Sequence, residues 1–427
     1  MTPWMFAMKR LPMNRGTVCS LLFSVLTVSA LTARCAEGEN TRFAFRVGKV
    51  LTMDAEDRVL NHAVVLVADG KIERLGLAKD LKIPAGYQRI ERLDLWLLPG
   101  LIDPHNHSAG SSRDLHDYVY LTNPGLRTVE ALVPESENNK RARAGGVTTV
   151  LMLSGSGNNL SGFGTLTKLG GKNVDEMLVR TLGCLKIAQA GNPERYWYGV
   201  GRTFMYYNLR QTLEKARDYH RQWERYENGE LQEAPEFDLF WHDFRGLFQR
   251  KMIALVHTQQ YQVVMSTLDM LAKKFHLRVV LGHSTFDGYK TAPLVIRQGD
   301  VYTSNGPRQI YFDRQQRKIM GNVARWWQGG VRKIGVNTDA GVLPQEELPY
   351  QAAMACYFGW IPYEALRGMT RTAAEALMIE DRVGSIEPGK DADIGLWTGD
   401  PVDPRSSCEM TMIDGEIVYD AREGRRF

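Results

Sequence analysis

Between residues 99 and 382 short apolar runs alternate with longer stretches of helical texture, and this alternation limits the fold more than any other feature. The runs fall at 146–153, 178–187, 252–257, 277–283, 299–304 and 331–339, after a first one that ends in Pro99-Gly100-Leu101-Ile102-Asp103-Pro104-His105-Asn106-His107. Strands that are apolar on both faces and are separated by helices form a parallel sheet covered on both sides. A span of this length suits a (β/α)8 TIM-like barrel, an α/β architecture of roughly 250 residues.

Several of these runs end on a residue able to bind a metal. His105 and His107 stand at i and i+2 on the first strand, so period-2 alternation points both rings to one face. Lys186, His257, His283 and Asp339 close four later strands, at the C-terminal rim where barrel active sites form. The steps are 79 residues from His107 to Lys186, 71 to His257, 26 to His283 and 56 to Asp339. A unit of roughly 26–28 residues, typical of a strand plus helix, assigns them to strands 1, 4, 5, 6 and 8. The long step to His257 carries an aromatic and charged insertion around 196–250, which either caps the site or packs on the barrel as a surface helix. Imidazole and carboxylate groups converging on one rim predict a divalent-metal site. His62, His116, His220, His242 and His276 lack this placement and read as non-ligands. Asp103 reads as an organiser of the first turn, and Asp391 and Asp393 as structural.

Both ends of the chain have a different texture. Residues 43–98 carry strand-like runs and an Asp69-Gly70 hairpin signal, and residues after 383 carry another set with Asp414-Gly415. The economical reading is a small β-sandwich built from 37–98 and 383–427, flanking a barrel of 99–382.

Lys9, Arg10 and Arg15 precede an apolar run at 18–33, which predicts a secretory signal peptide over 1–36 and a secreted or periplasmic protein. Arg34 before Cys35 argues against lipoprotein processing. The formal charge of +4 resides in that leader, because without its four basic residues the chain has 49 of each sign. A nucleic-acid partner therefore has no electrostatic support, and no membrane association is expected beyond the leader. Five cysteines with no CxxC pair make neither a disulfide framework nor a zinc ribbon, although one bridge would be compatible with an oxidising compartment. No GxSxG occurs, which disfavours a serine hydrolase.

The motifs PGLIDPHNH (99–107), NTDAG (337–341) and VGSIEPGKDADIGLW (383–397), with His257 and His283, resemble the amidohydrolase superfamily of metal-dependent hydrolases. The resemblance is to its imidazolonepropionase-like and prolidase-like branch and covers nearly everything after residue 43. It implies one of two centres. In a binuclear site His105, His107 and Asp339 would hold one ion, His257 and His283 the other, and a carboxylated Lys186 would bridge them. In a mononuclear site the ligands would be His105, His107, His257 and Asp339, with His283 on substrate or water. Zinc is the expected ion, one or two per chain; it would lower the pKa of a bound water towards about 7. Asp339 would act as general base, and His283, where free of metal, would stabilise an oxyanion. Arg308, after the seventh strand, could pair with a substrate carboxylate, and Tyr206 and Tyr207 could line the pocket. The activity implied is hydrolysis of the C–N bond of an amide, peptide or cyclic amide in a small molecule. The alternatives are a mononuclear deaminase or imidazolonepropionase-like hydrolase, and a non-catalytic scaffold on the same fold. Association with further copies of the chain is left open.

Overall fold

A computed structural model describes residues 42–424, so the expected leader lies outside the described residues. The chain first lays down β1 (Phe43–Leu51), β2 (Val59–Ala68), β3 (Lys71–Leu77) and β4 (Gln88–Pro99). The barrel strands follow as β5 (Leu101–Asn106), β6 (Val147–Met152), β7 (Leu160–Lys168), β8 (Leu178–Ala188), β9 (Ile253–Thr258), β10 (Val279–His283) and β11 (Val301–Asn305). A two-stranded hairpin, β12 (Ile310–Asp313) with β13 (Lys318–Gly321), precedes the last barrel strand β14 (Ile334–Val336). The chain ends with β15 (Ile394–Trp397), β16 (Cys408–Ile413) and β17 (Glu416–Asp420).

The terminal strands form one seven-stranded sheet in the order β17-β16-β15-β4-β1-β2-β3, not the two stacked sheets of a sandwich. Ile72 donates its N–H to Lys390 O, and Ala392 donates to Gly70 O, so the approach to β15 pairs with the start of β3. The sheet thereby curls around a core that includes Phe45, Val65, Ile72, Leu97, Leu396 and Met412. Alternation in the sequence reveals that each strand has a buried face. It does not reveal whether those faces belong to two sheets or to one bent sheet.

The middle of the chain makes an eight-stranded sheet ordered β5 to β11 and then β14. Its seam is closed by a parallel bridge between Asn106 and Ala340 and by the His107 N–H donating to Ala340 O at 3.1 Å. One strand departs from the expected parallel arrangement, since β7 runs antiparallel to both β6 and β8. The 79 residues from His107 to Lys186 are therefore not three strand–helix units. They are one long connection, 107–146, followed by a three-strand meander. The last strand is also shorter than expected, and Asp339 lies in the turn beyond it.

Period-2 alternation fills the barrel interior. Ile253 and Leu255 on β9 pack with Cys184 of β8, Ile102 and Val280, and helix Arg371–Leu377 contributes Ala373, Ala374 and Leu377 to the same cluster. Continuing that period, Lys186 follows Cys184 and His257 follows Leu255 on the inward face. The apolar bottom and the polar top of the interior thus come from the same strands.

The insertion is mostly one helix, Arg202–Glu227. Its buried stripe runs from Met205 through Leu209, Leu213 and Ala216, the last three joining the main core, so it packs on the barrel as a surface helix. Among the described residues no helix is long and apolar enough to cross a membrane, and Cys184, Cys356 and Cys408 are unpaired.

A buried ion cluster ties the two sheets together. Lys168 at the end of β7 donates to Asp391 at 2.7 Å, to Asp393 at 3.0 Å and to Asp414, while Arg382 reaches Asp391 at 2.7 Å and Lys71 also pairs with Asp391. Asp391 and Asp393 thus have the structural position expected of them. Burial raises the Asp391 pKa, but bonds from Lys168 and Lys71 and the charge of Arg382 outweigh it and hold the carboxyl at about 2. Lys168→Met is expected to cost about 3–5 kcal/mol, because three carboxylates lose their common partner. Urea unfolding would measure this. Because the folded value of Asp391 lies below the ordinary 3.8, its contribution is full above that pH and is lost as pH falls towards 2. The difference between wild type and Lys168→Met should shrink over that window. An undiminished gap at pH 2.5 would contradict the assignment.

Candidate metal centre

Four histidines, one lysine and one aspartate meet at the C-terminal mouth of the barrel. His107 Nε2 lies 3.0 Å from Asp339 Oδ1, and His105 Nε2 lies 3.2 Å from the same oxygen. One ligand atom from each of these three residues falls within 4.8 Å of the others. The Lys186 amine sits 3.0 Å from His105 Nε2. The His283 ring centroid is 4.6 Å from that of His105 and 4.4 Å from that of His257. His105, Lys186, His257 and His283 are all buried.

The backbone aims these groups. His283 has φ +64° and Asp339 has φ +51°, left-handed conformations that cost roughly 1–2 kcal/mol per residue. Strain of this kind persists where the surroundings enforce it, and it concentrates at functional sites. Asp103 braces the seam beneath. Its carboxylate accepts from Thr338 Oγ1 at 2.6 Å and from the His105 N–H at 3.3 Å. Burial raises Asp103 to about 7 against the pull of those bonds.

Carbonyl groups fix the tautomers. His107 Nδ1 lies 2.5 Å from Leu153 O, and His283 Nδ1 bonds Gly306 O. A carbonyl only accepts, so both rings carry a proton on Nδ1, and in its neutral form each turns an Nε2 lone pair inward. The His283 Nε2 is buried with no partner. In that form the His107 Nε2 lone pair faces a carboxylate oxygen, a contact that a bound cation or a proton on Nε2 relieves. His257 Nδ1 bonds Ser156 Oγ at 2.9 Å, and its Nε2 is 3.3 Å from the Gln259 amide nitrogen. Burial, reinforced by positive neighbours, pushes His105 and His257 well below the ordinary histidine value. Burial also lowers the Lys186 amine to about 8. Neutral imidazoles, a carboxylate and an amine without a salt-bridge partner among the described residues make a donor set that fits a divalent ion.

Two expected substrate residues are not assembled with this group. Tyr207 is exposed on the helix face opposite the buried stripe, with its ring on Phe204. Its neighbour Tyr206 bonds Val263 O at 3.5 Å. Arg308 is exposed and lies over the Phe286 ring. Spacing along the chain placed both near strand ends but could not give the direction of a side chain. His116, expected to be a non-ligand, lies beside the group. Its ring centroid is 6.1 Å from that of His107, and its Nδ1 accepts from the Gly155 N–H at 2.8 Å. Burial, with the charges of His107 and Lys186 adding, lowers it to about 4.

The amidohydrolase family model matches residues 316–418, and imidazolonepropionase from Aromatoleum aromaticum is 27% identical over 80% of this chain and 86% of its own length. The solved structure of an amidohydrolase from Thermotoga maritima superposes with a TM-score of 0.79 at 26% identity, covering 88% of this chain and all of its own. In sequence and in fold the chain is similar to members of the amidohydrolase superfamily. Within that superfamily the likeness runs to the imidazolonepropionase-like members that the sequence motifs resemble. The amidohydrolase tasK of Hapsidospora irregularis is 23% identical over 76% of this chain, which spans 36% of the length of tasK.

Proposed function

We propose that this protein is a divalent-metal enzyme that hydrolyses the C–N bond of a small amide, peptide or cyclic amide outside the cytoplasm. The observation that carries the reading is the convergence of His105, His107 and Asp339, with one ligand atom from each within 4.8 Å of the others and His107 Nε2 at 3.0 Å from Asp339 Oδ1. His105, His107 and Asp339 would hold one ion and His257 with His283 a second. Lys186, carboxylated on its amine, would span them as an anion. Its burial beside His105 Nε2 and its lack of a salt-bridge partner among the described residues support that assignment. Zinc suits a set dominated by imidazoles. When bound, it supplies an acidified water and polarises the carbonyl to be attacked.

The chain's own residues do the rest. Asp339 takes one proton from the attacking water and delivers it to the leaving nitrogen. The water oxygen bonds the carbonyl carbon, the C–N bond breaks, and the second proton is lost as the acid product ionises. Leu153 and Gly306 hold His107 and His283 in the orientation their role requires.

A single-ion centre, with deaminase or imidazolonepropionase-like chemistry, is the second reading. It is favoured by the tightness of the His105–His107–Asp339 group. The extracytoplasmic site rests on the basic and apolar pattern of residues 1–36, and N-terminal sequencing of the mature protein tests it. A screen of dipeptides, N-acyl amino acids and cyclic amides, with and without chelation, tests the activity. Turnover that chelation abolishes and zinc restores is expected. Turnover indifferent to chelation would contradict the proposal.

A further inference from the structure

The long connection 107–146 does more than join β5 to β6. Its stretch 116–121 is fastened to the loop between β6 and β7. Gly155 N–H donates to His116 Nδ1 at 2.8 Å, Asn158 donates to Asp117 O, and the N–H groups of Asn159 and Leu160 both donate to Leu121 O at 3.1 Å. That loop also supplies Ser156, the partner of His257.

Two glycines make this contact sterically workable. A Cβ on Gly155 would lie 2.5 Å from His116 Cε1, and one on Gly157 would lie 2.0 Å from Tyr118 Cε1. The loop has no side chain where each ring approaches it. The rings then continue outward from the metal centre. His107 to His116 is 6.1 Å between centroids, His116 to Tyr118 is 6.1 Å and Tyr118 to Tyr196 is 5.6 Å. Tyr118 and Tyr196 are 47% and 56% exposed, so their faces are open to a ligand.

Because Nδ1 of His116 accepts from Gly155, the neutral ring carries its proton on Nε2. That nitrogen has no partner among the described residues. A donor fixed by a backbone bond and held one ring away from a metal ligand suits an oxygen that gains charge during hydrolysis. We infer that His116 is a substrate-binding residue whose Nε2–H donates to the oxygen of the scissile carbonyl, and that Tyr118 and Tyr196 cover an apolar or aromatic group on the acyl side. This rests on the hydrolase reading above and adds to it a substrate class, amides of apolar acids.

The test compares wild type with His116→Ala, His116→Gln, Gly155→Ala and Tyr118→Ala. Metal per chain, kcat and KM are measured on an N-phenylacetyl and an N-acetyl amide, together with equilibrium binding of a phosphinate analogue of the phenylacetyl compound. His116→Ala should keep its metal, lose about 100-fold in kcat and bind the analogue correspondingly weakly. Gln, which keeps an N–H donor, should recover most of that loss. Gly155→Ala, which drives the ring off the loop without touching it chemically, should reproduce the defect. Tyr118→Ala should raise KM for the phenylacetyl amide and leave the acetyl amide unchanged. Metal-loaded His116→Ala with wild-type kcat and analogue affinity would overturn this inference alone, as would loss of metal from that variant. A wild type with neither metal nor turnover would overturn the hydrolase reading and this inference with it.

Discussion

Asp339→Asn should lower kcat by about 10³–10⁴-fold while leaving the fold and most of the bound metal in place. The substitution conserves shape, and its amide oxygen still faces His105 and His107 across about 3 Å. What it removes is the capacity to accept a proton from water and return it to nitrogen. Circular dichroism and elemental analysis should therefore be near wild type while turnover collapses. A kcat within tenfold of wild type would assign the proton transfer elsewhere, with His283 the next candidate because its Nε2 is buried and unpartnered.

Lys186→Met is expected to move stability and function in opposite directions. The native amine is fully buried and, among the described residues, has only His105 Nε2 within hydrogen-bond reach. Methionine fills a similar volume with no polar group to desolvate, so the metal-free protein should gain about 1–3 kcal/mol. Metal content should fall by half or more and kcat by about 10³-fold, because no anion can then span two ions. Urea unfolding in the presence of chelator reads the first effect, and elemental analysis with kinetics reads the second. If metal content and kcat were both preserved, Lys186 would be an ordinary interior lysine and the two-ion arrangement would fail. Trading stability for a polar interior is a usual cost of a catalytic site.

The residues gathered at the barrel mouth were legible because strand geometry is periodic. His105 and His107 share a face by alternation, and Lys186 and His257 extend the inward rows that begin at Cys184 and Ile253. A polar residue that ends an apolar strand is visible in a sequence, and its direction follows from a period of two. The topology between strands was less legible. The spacing from His107 to Lys186 gave the right strand number for the wrong reason, since the antiparallel β7 of Leu160–Lys168 replaced a helical unit. Residues 160–168, with two glycines and alternating small polar side chains, carry neither a continuous apolar run nor a helical period. The curled terminal sheet was misread as a sandwich because Gly70 and Ala392 meet through the backbone, which leaves no mark on side-chain pattern. Tyr207 and Arg308 show the same limit from the other side. Both follow barrel strands, as ligand-binding residues do, and both are exposed, with Tyr207 against Phe204 and Arg308 over Phe286. His116 was overlooked because its position depends on a contact across 39 residues with Gly155, and only the Gly155-Ser156-Gly157 run hints at a close approach.

The central claim is that the inward lone pairs of His107 and His283, with Asp339 and a carboxylated Lys186, hold divalent ions that serve hydrolysis. Elemental analysis of gently purified protein, per mole of chain, tests it most directly. The donor set described here predicts about two ions per chain, removed by chelation together with activity and restored together by zinc. One ion per chain would contradict the bridging role of Lys186. No ion, after attempted reconstitution with zinc, manganese and iron, would contradict the metal centre itself and leave a barrel whose histidines serve another purpose.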